Sequence, residues 1–192
     1  MKEDLTRVFK GVDLSKENIQ YLSKHLQKET FKKGSLIFST EKKVIDQYYV
    51  LNGCLRTFFI DEKGKEHTIQ FAINDWWITD YMSYFLEEKS VLIVEVIKDS
   101  VLLRVSRNEF ENIFDEIPAI ERLIRKKLES FMAKSQKRTL LNLSQSAKER
   151  YINFTNVYPE IEQHVKNHHI ASYLGIATQS LSRIRKEMLN NS

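Results

Sequence analysis

The chain has 192 residues, 42% of them hydrophobic, which suffices for one large domain or two small ones and argues against disorder. Five Gly and two Pro are too few for collagen-like, propeller or low-complexity architectures, and the lone Cys54 excludes an internal disulfide, a multi-cysteine zinc site or a multi-cysteine iron–sulfur cluster. The net charge of +4 conceals a split: residues 1–121 carry 17 Lys/Arg and 21 Asp/Glu, residues 122–192 carry 13 and 5.

That basic final third points to a polyanion partner, with a different task for the rest of the chain. The opening residues form no apolar stretch, and the run Val91-Leu92-Ile93-Val94 is broken by Glu95. Neither secretion nor membrane insertion is expected, and a reducing cytoplasm is the expected location.

Ser15 has the chemistry of a helix N-cap, Leu14 and Ile19 can close a hydrophobic staple, and Ile19, Leu22 and Leu26 share one face. Residues 15–27 are therefore predicted to be an amphipathic helix. From Phe31 the period becomes two. Leu55, Thr57 and Phe59 alternate with Arg56, Phe58 and Ile60, and Ile69, Phe71 and Ile73 with Thr68, Gln70 and Ala72. Residues 61–65 between these runs read as a hairpin loop with Gly64 in a left-handed conformation. Further turns are expected at Lys32-Lys33-Gly34 and Asn52-Gly53, with strands on either side of Lys98-Asp99. Residues 31–105 thus read as an all-β unit, a closed or rolled antiparallel sheet.

Ser106 and Glu109 form an S-x-x-E capping box opening a short helix that ends before Pro118. Residues 118–143 contain no Gly and no further Pro, and as one helix extend about 39 Å. Ile120, Ile124, Leu128 and Phe131 recur at spacings of three and four, a narrow stripe suited to pairing with a second copy; packing on the β unit is the alternative. A second box, Ser146 to Glu149, starts a helix to about Val157, with Pro159 beyond.

The segment NHHIASYLGIATQSLSRIRK, residues 167–186, has the pattern of a helix-turn-helix. Two closely crossing helices need a small residue at Ala171, the turn needs a residue tolerant of positive φ at Gly175, and Ile170, Leu174, Ile176, Leu181 and Ile184 fill the wedge. With Leu181 and Ile184 inward, Gln179, Ser182, Arg183 and Lys186 turn outward, with Thr178 and Ser180 at the amino end. Arg183 can pair with guanine O6 and N7 and Gln179 with adenine N6 and N7, while Thr178, Ser180, Arg185 and Lys186 suit phosphate. His164, His168 and His169 read as a solvated linker rather than a metal site, and no metal is expected. Trp76, Trp77, Tyr81, Tyr84 and Phe85 could line an apolar pocket or simply pack the roll on the long helix. No phosphate loop, nucleophile elbow or H-E-x-x-H motif occurs, so the chain is not expected to be an enzyme.

Across residues 10–189 the order of elements resembles the Crp/Fnr family of transcription regulators. IASYLGIATQSLSRIRK, the run FKKGSLIFSTEKKVIDQYYVLNGCLRTFFIDEKGKE and Asn74-Asp75-Trp76 carry the likeness. The resemblance implies an α+β fold: an N-terminal antiparallel β-roll of the cyclic-nucleotide-binding, jelly-roll type with flanking helices (1–117), a long dimerisation helix (118–143) and a helix-turn-helix DNA-binding domain (144–192). It also implies a homodimer on double-stranded DNA, with RNA polymerase as a further partner and no membrane. Thr178, Gln179 and Arg183 fall where the family contacts bases, and Ser180 where it contacts phosphate.

Two departures stand out. Cyclic-nucleotide members hold the ribose with a Glu and the cyclic phosphate with an Arg. Here Asp80 stands in the first region and Lys89-Ser90 in the second, with no arginine, so cyclic AMP is not expected to bind and no cofactor is assigned. Trp76, Trp77, Asp80, Tyr81, Lys89 and Ser90 are the candidate effector pocket. The second departure is at 158–164, where many members place a β-wing and this chain has a polar link. The alternative reading is a small-molecule or cyclic-nucleotide-binding module acting through a protein partner; a cupin-like enzyme would need more histidine and carboxylate ligands in the strands than His67 supplies.

Overall fold

The computed structural model describes residues 1–159 and 161–190. Two short helices, α1 (Lys2–Val8) and α2 (Lys16–His25), precede a six-stranded antiparallel sheet. Its strands are β1 (Gln27–Phe31), β2 (Leu36–Phe38), β3 (Asp46–Ile60), β4 (Glu66–Ile73), β5 (Trp77–Ile78) and β6 (Ile93–Ser106), with helix α3 (Tyr81–Leu86) between the last two. The path is β1-β6-β3-β4, with β2 paired to β6 and β5 to β3. Further helices follow: α4 (Arg107–Glu116), the long α5 (Pro118–Ser144), α6 (Ala147–Val157) and, after a 3₁₀ turn at Ile161–Gln163, the pair α7 (Asn167–Leu174) and α8 (Thr178–Asn190). The fold is α+β, an antiparallel roll followed by helices.

Reciprocal capping boxes start three of the described helices. Ser15 accepts the amide of Asn18, and Ser106 and Ser146 accept those of Glu109 and Glu149, each partner's side chain returning a bond to the cap. The β3–β4 hairpin pairs Ile60 with Glu66 around a loop in which Gly64 has φ +77°. The expected turn at Asn52-Gly53 is instead a bulge inside the 15-residue β3. Gly53 sits there at φ +140°, and a Cβ would lie 2.8 Å from the Ser100 Cα, so the backbones approach more closely than any other residue permits. Nor does Lys98-Asp99 break a strand, because β6 runs continuously along β3. The sequence patterning did not mark α1 and α3; α1 packs Leu5 and Val8 into the cluster it shares with α2 and α4.

Three apolar clusters organise the molecule. One fills the roll with Val50, Leu55, Val94, Val96 and Leu102. A second clamps α1, α2, α4 and the start of α5 against Tyr49, Leu103 and Val105. It absorbs Ile120 and Ile124, and Leu128 packs against it. This corrects the assignment of that stripe to a two-chain seam: its first half is spent on the chain's own core, and Phe131 packs on Tyr81 with ring centroids 5.2 Å apart. The large apolar side chains exposed on α5 are Met132, Leu140 and Leu143. The third cluster joins Cys54, Phe71 and Ile97 of the roll to Tyr151, Phe154, Tyr158, Ile161, Val165 and the α7–α8 pair, so the last helices are docked on the sheet. Among the described residues, no helix is long and apolar enough to cross a membrane.

Candidate nucleic-acid interface and adjoining cleft

The α7–α8 pair is a helix-turn-helix built from the bottom up. Ile170, Ala171, Leu174, Leu181 and Ile184 are all buried, Ile176 packs against them, and Gly175 closes α7 in the left-handed region at φ +67°. Burying Leu181 and Ile184 rotates Gln179, Ser182, Arg183 and Lys186 to solvent, with Thr178 and Ser180 half-buried at the start of α8. Arg183 is 75% exposed, and Glu187 lies 3.9 Å away on the same helix. Ser182 donates to the Thr178 carbonyl.

Arg185 does not belong to this face. Its guanidinium donates to the Tyr151 hydroxyl, to Asn167 Oδ1 and to Glu162 Oε1, the last at 2.7 Å, which ties α8 to α6, α7 and the 3₁₀ turn. A partly buried cation is costly without partners, and this carboxylate and amide oxygen satisfy it. In the polar link at 158–164, Tyr158 and Ile161 are core residues and Glu162, Gln163 and His164 are exposed, while Glu160 lies outside the described residues.

His169 is the second residue misplaced by sequence reasoning. It is buried, at the contact between α7 and the roll, where Arg56 Nη1 donates to its Nδ1. Arg56, 2% exposed, also pairs with Glu66 and Glu95 at 2.7 Å each and stacks on Phe58. Burial, and then the adjacent guanidinium, push the His169 pKa down to about 4, so the ring is neutral and accepts from Arg56. One turn away, Ser172 Oγ accepts the amide of Thr68 at 2.9 Å and donates to the Glu66 carbonyl at 2.9 Å, which satisfies two backbone groups on the open side of the edge strand β4. Tyr158 donates to the Phe71 carbonyl. Pattern reading missed this interface because alternation in β4 identifies a strand without saying what covers its outer face.

Between roll, α5 and the helix-turn-helix unit lies a cleft of about 870 Å³. Trp76, Asp80 and Tyr81 line it, but three other expected pocket residues do not. Trp77 is wedged between Tyr49 and Phe110, with ring centroids 5.3 Å from each. Lys89 sits at the surface, 3.5 Å from Glu41. Ser90 is buried and donates to Asp80 Oδ2 at 2.7 Å. Asp80 itself caps α3, accepting the amides of Met82 and Ser83. The remaining walls come from Leu92, Phe131, Lys134, Lys137 and Arg138, and from Arg150, Tyr158 and Tyr173 of the last unit. Of these the sequence pattern singles out Phe131, and for another role, since only the folded chain brings the three units together. Among the described residues no group of three or more His, Cys, Asp or Glu is placed to hold a metal ion.

Residues 28–116 match the family model of the cyclic nucleotide-binding domain. FixK2 of Bradyrhizobium japonicum superposes with a TM-score of 0.72 at 16% identity, covering 86% of this chain and 85% of that one. A chain described as a crp/fnr-family transcriptional regulator from Eubacterium rectale gives 0.69 at 18% identity, covering 93% and 85%. The fold is that of the Crp/Fnr regulators. The catabolite activator protein of Thermus thermophilus shares the Crp/Fnr fold at a TM-score of 0.58 and 18% identity, covering 96% of this chain and 87% of that one. No curated protein sequence matches the chain. The segment that matches this domain model comprises the roll and α4, and the helix-turn-helix is docked against the roll through Arg56, Glu66 and Thr68.

Proposed function

We propose that the protein is a DNA-binding transcription regulator and not an enzyme, with residues 1–117 as sensor, 118–143 as connecting and dimerisation helix, and 144–192 as DNA-binding unit. The observation that carries this reading is α8, where a buried Leu181 and Ile184 leave Gln179, Ser182, Arg183 and Lys186 together on an open face. Arg183 reads guanine and Gln179 reads adenine in the major groove, and Thr178, Ser180, Ser182 and Lys186 contact the backbone.

Two copies pair along α5 through Met132, Leu140 and Leu143, with Phe131 beside them, and place their recognition helices about 34 Å apart on a near-palindrome. The cleft beside α5 is the effector site; an occupant alters DNA affinity by favouring one placement of the DNA-binding unit over another. RNA polymerase is the proposed downstream partner, and the cytoplasm the place of action. Selection of bound sequences from randomised duplexes tests the reading: recovered sites should show two inverted half-sites with centres about 10 base pairs apart. Recovery of no enriched sequence at low salt would overturn it.

A further inference from the structure

We propose that the cleft between the roll, α5 and the helix-turn-helix unit binds an amphipathic organic anion, an aromatic or aliphatic body bearing one acid group, in place of a cyclic nucleotide. The proposal rests on the regulator reading above and gives its effector site a ligand chemistry.

The volume of about 870 Å³ falls in the range of small-molecule sites. Its body is apolar, with Trp76, Tyr81, Met82, Leu92 and Phe131 on the wall where roll meets α5. Its charge is one-sided. Four cations, Lys134, Lys137, Arg138 and Arg150, line it against the single carboxylate of Asp80. Asp80 is fully buried and its oxygens are taken by Ser90 and the α3 amides, so they are not free to hold a ribose, and the four cations outnumber its charge. Arg138 donates to the Ile69 carbonyl and Arg150 to those of Leu174 and Gln145, which fixes both as walls. Lys134 and Lys137, by contrast, have no ion-pair partner among the described residues and are the cations left to meet an acid group.

A second observation is independent of charge. Thr57, 2% exposed, and Gln70 both line the cleft, and Thr57 Oγ1 and Gln70 Nε2 are buried with no hydrogen-bond partner. Both atoms can donate, and a buried donor left unpaired is costly. Ligand oxygen supplies the missing acceptor. A molecule seated there touches Tyr158 and Tyr173 of the DNA-binding unit as well as the roll, so it acts on the docked interface directly.

The test uses 8-anilinonaphthalene-1-sulfonate, which has the required apolar body and one acid group, against N-phenyl-1-naphthylamine, the same skeleton without the sulfonate. With the full-length protein the sulfonate should bind saturably at one per chain, at least tenfold more tightly than the neutral compound and more tightly than cyclic AMP. Lys134→Glu with Lys137→Glu should abolish that preference, Gln70→Leu should weaken the sulfonate several-fold, and Lys10→Glu, in the α1–α2 turn, should leave it unchanged; near-UV circular dichroism confirms that each variant is folded. Equal binding of the neutral compound, tighter binding of cyclic AMP, or indifference to the lysine changes would overturn the proposal. Binding of a labelled duplex is measured on the same preparations. Duplex bound without sulfonate overturns the ligand assignment alone, whereas sulfonate bound without any duplex supports it and overturns the regulator reading.

Discussion

The docked helix-turn-helix unit should come away from the roll as the pH falls, and His169 sets the window. In the docked state its pKa is about 4, while a solvated imidazole has the ordinary value of 6.5. Above about pH 6.5 the ring is neutral in either state and the Arg56 bond is intact. On acidification the undocked form takes up its proton first, and the docked form only near 4, so the docked arrangement loses stability progressively across that interval. At about 1.4 kcal/mol per unit the limit is about 3 kcal/mol, comparable to the strength of a small domain contact. Glu66, 4.0 Å from the ring, works weakly in the other direction, and His168 adds to the depression. An NMR titration of the five histidines reads this directly: His169 should shift only below pH 5, and chemical exchange at the Phe71 and Ser172 signals should appear as it does. A His169 midpoint near 6.5 with those signals undisturbed would refute the reasoning.

Further outcomes follow from single contacts. Ser172→Ala leaves the buried Thr68 amide and the Glu66 carbonyl without their partner, which should cost about 1–3 kcal/mol and speed hydrogen exchange at Thr68 without altering exchange in α2. Gly53→Ala meets both the positive φ and the Ser100 backbone, so urea denaturation should register a loss of several kcal/mol, about 3 or more. Ile120→Ala, inside the core, should cost about 2–5 kcal/mol of stability, whereas Leu143→Ala, on the exposed side of α5, should leave stability unchanged and lower the apparent mass by analytical ultracentrifugation. Arg185→Ala should lower the melting temperature of the protein and leave the salt dependence of duplex binding unchanged, because its charge is already paired with Glu162.

The elements with a strong local cause were legible in the sequence. Ser106 and Ser146, each followed by Glu at the third position, announce α4 and α6, and the Ala171–Gly175 pair announces the sharp crossing of α7 and α8. What local pattern cannot carry is the choice of partner for a face. The Ile120–Phe131 stripe is the same in sequence whether it meets α1 or a second chain, and here α1 and α4 take its first half. Asn52-Gly53 has turn chemistry, yet the long pairing with β6 on both sides makes it a bulge. Arg185 and His169 looked like solvent-facing groups because a basic or aromatic polar side chain advertises nothing about a carboxylate or guanidinium distant in sequence, Glu162 and Arg56 respectively. Likewise Trp76 and Trp77 are adjacent in sequence, yet at the start of β5 one lines the cleft and the other packs on the helical core.

The central claim is that α8 presents a base-reading face. It is tested most directly by fluorescence anisotropy of the wild type and Arg183→Ala on the best selected duplex and on a random one, across a series of salt concentrations. Arg183→Ala should weaken the selected duplex by about 1–3 kcal/mol, relax preference at one base position, and leave random DNA nearly unaffected. Equal losses on both duplexes, or no salt-dependent binding of either by the wild type, would contradict it.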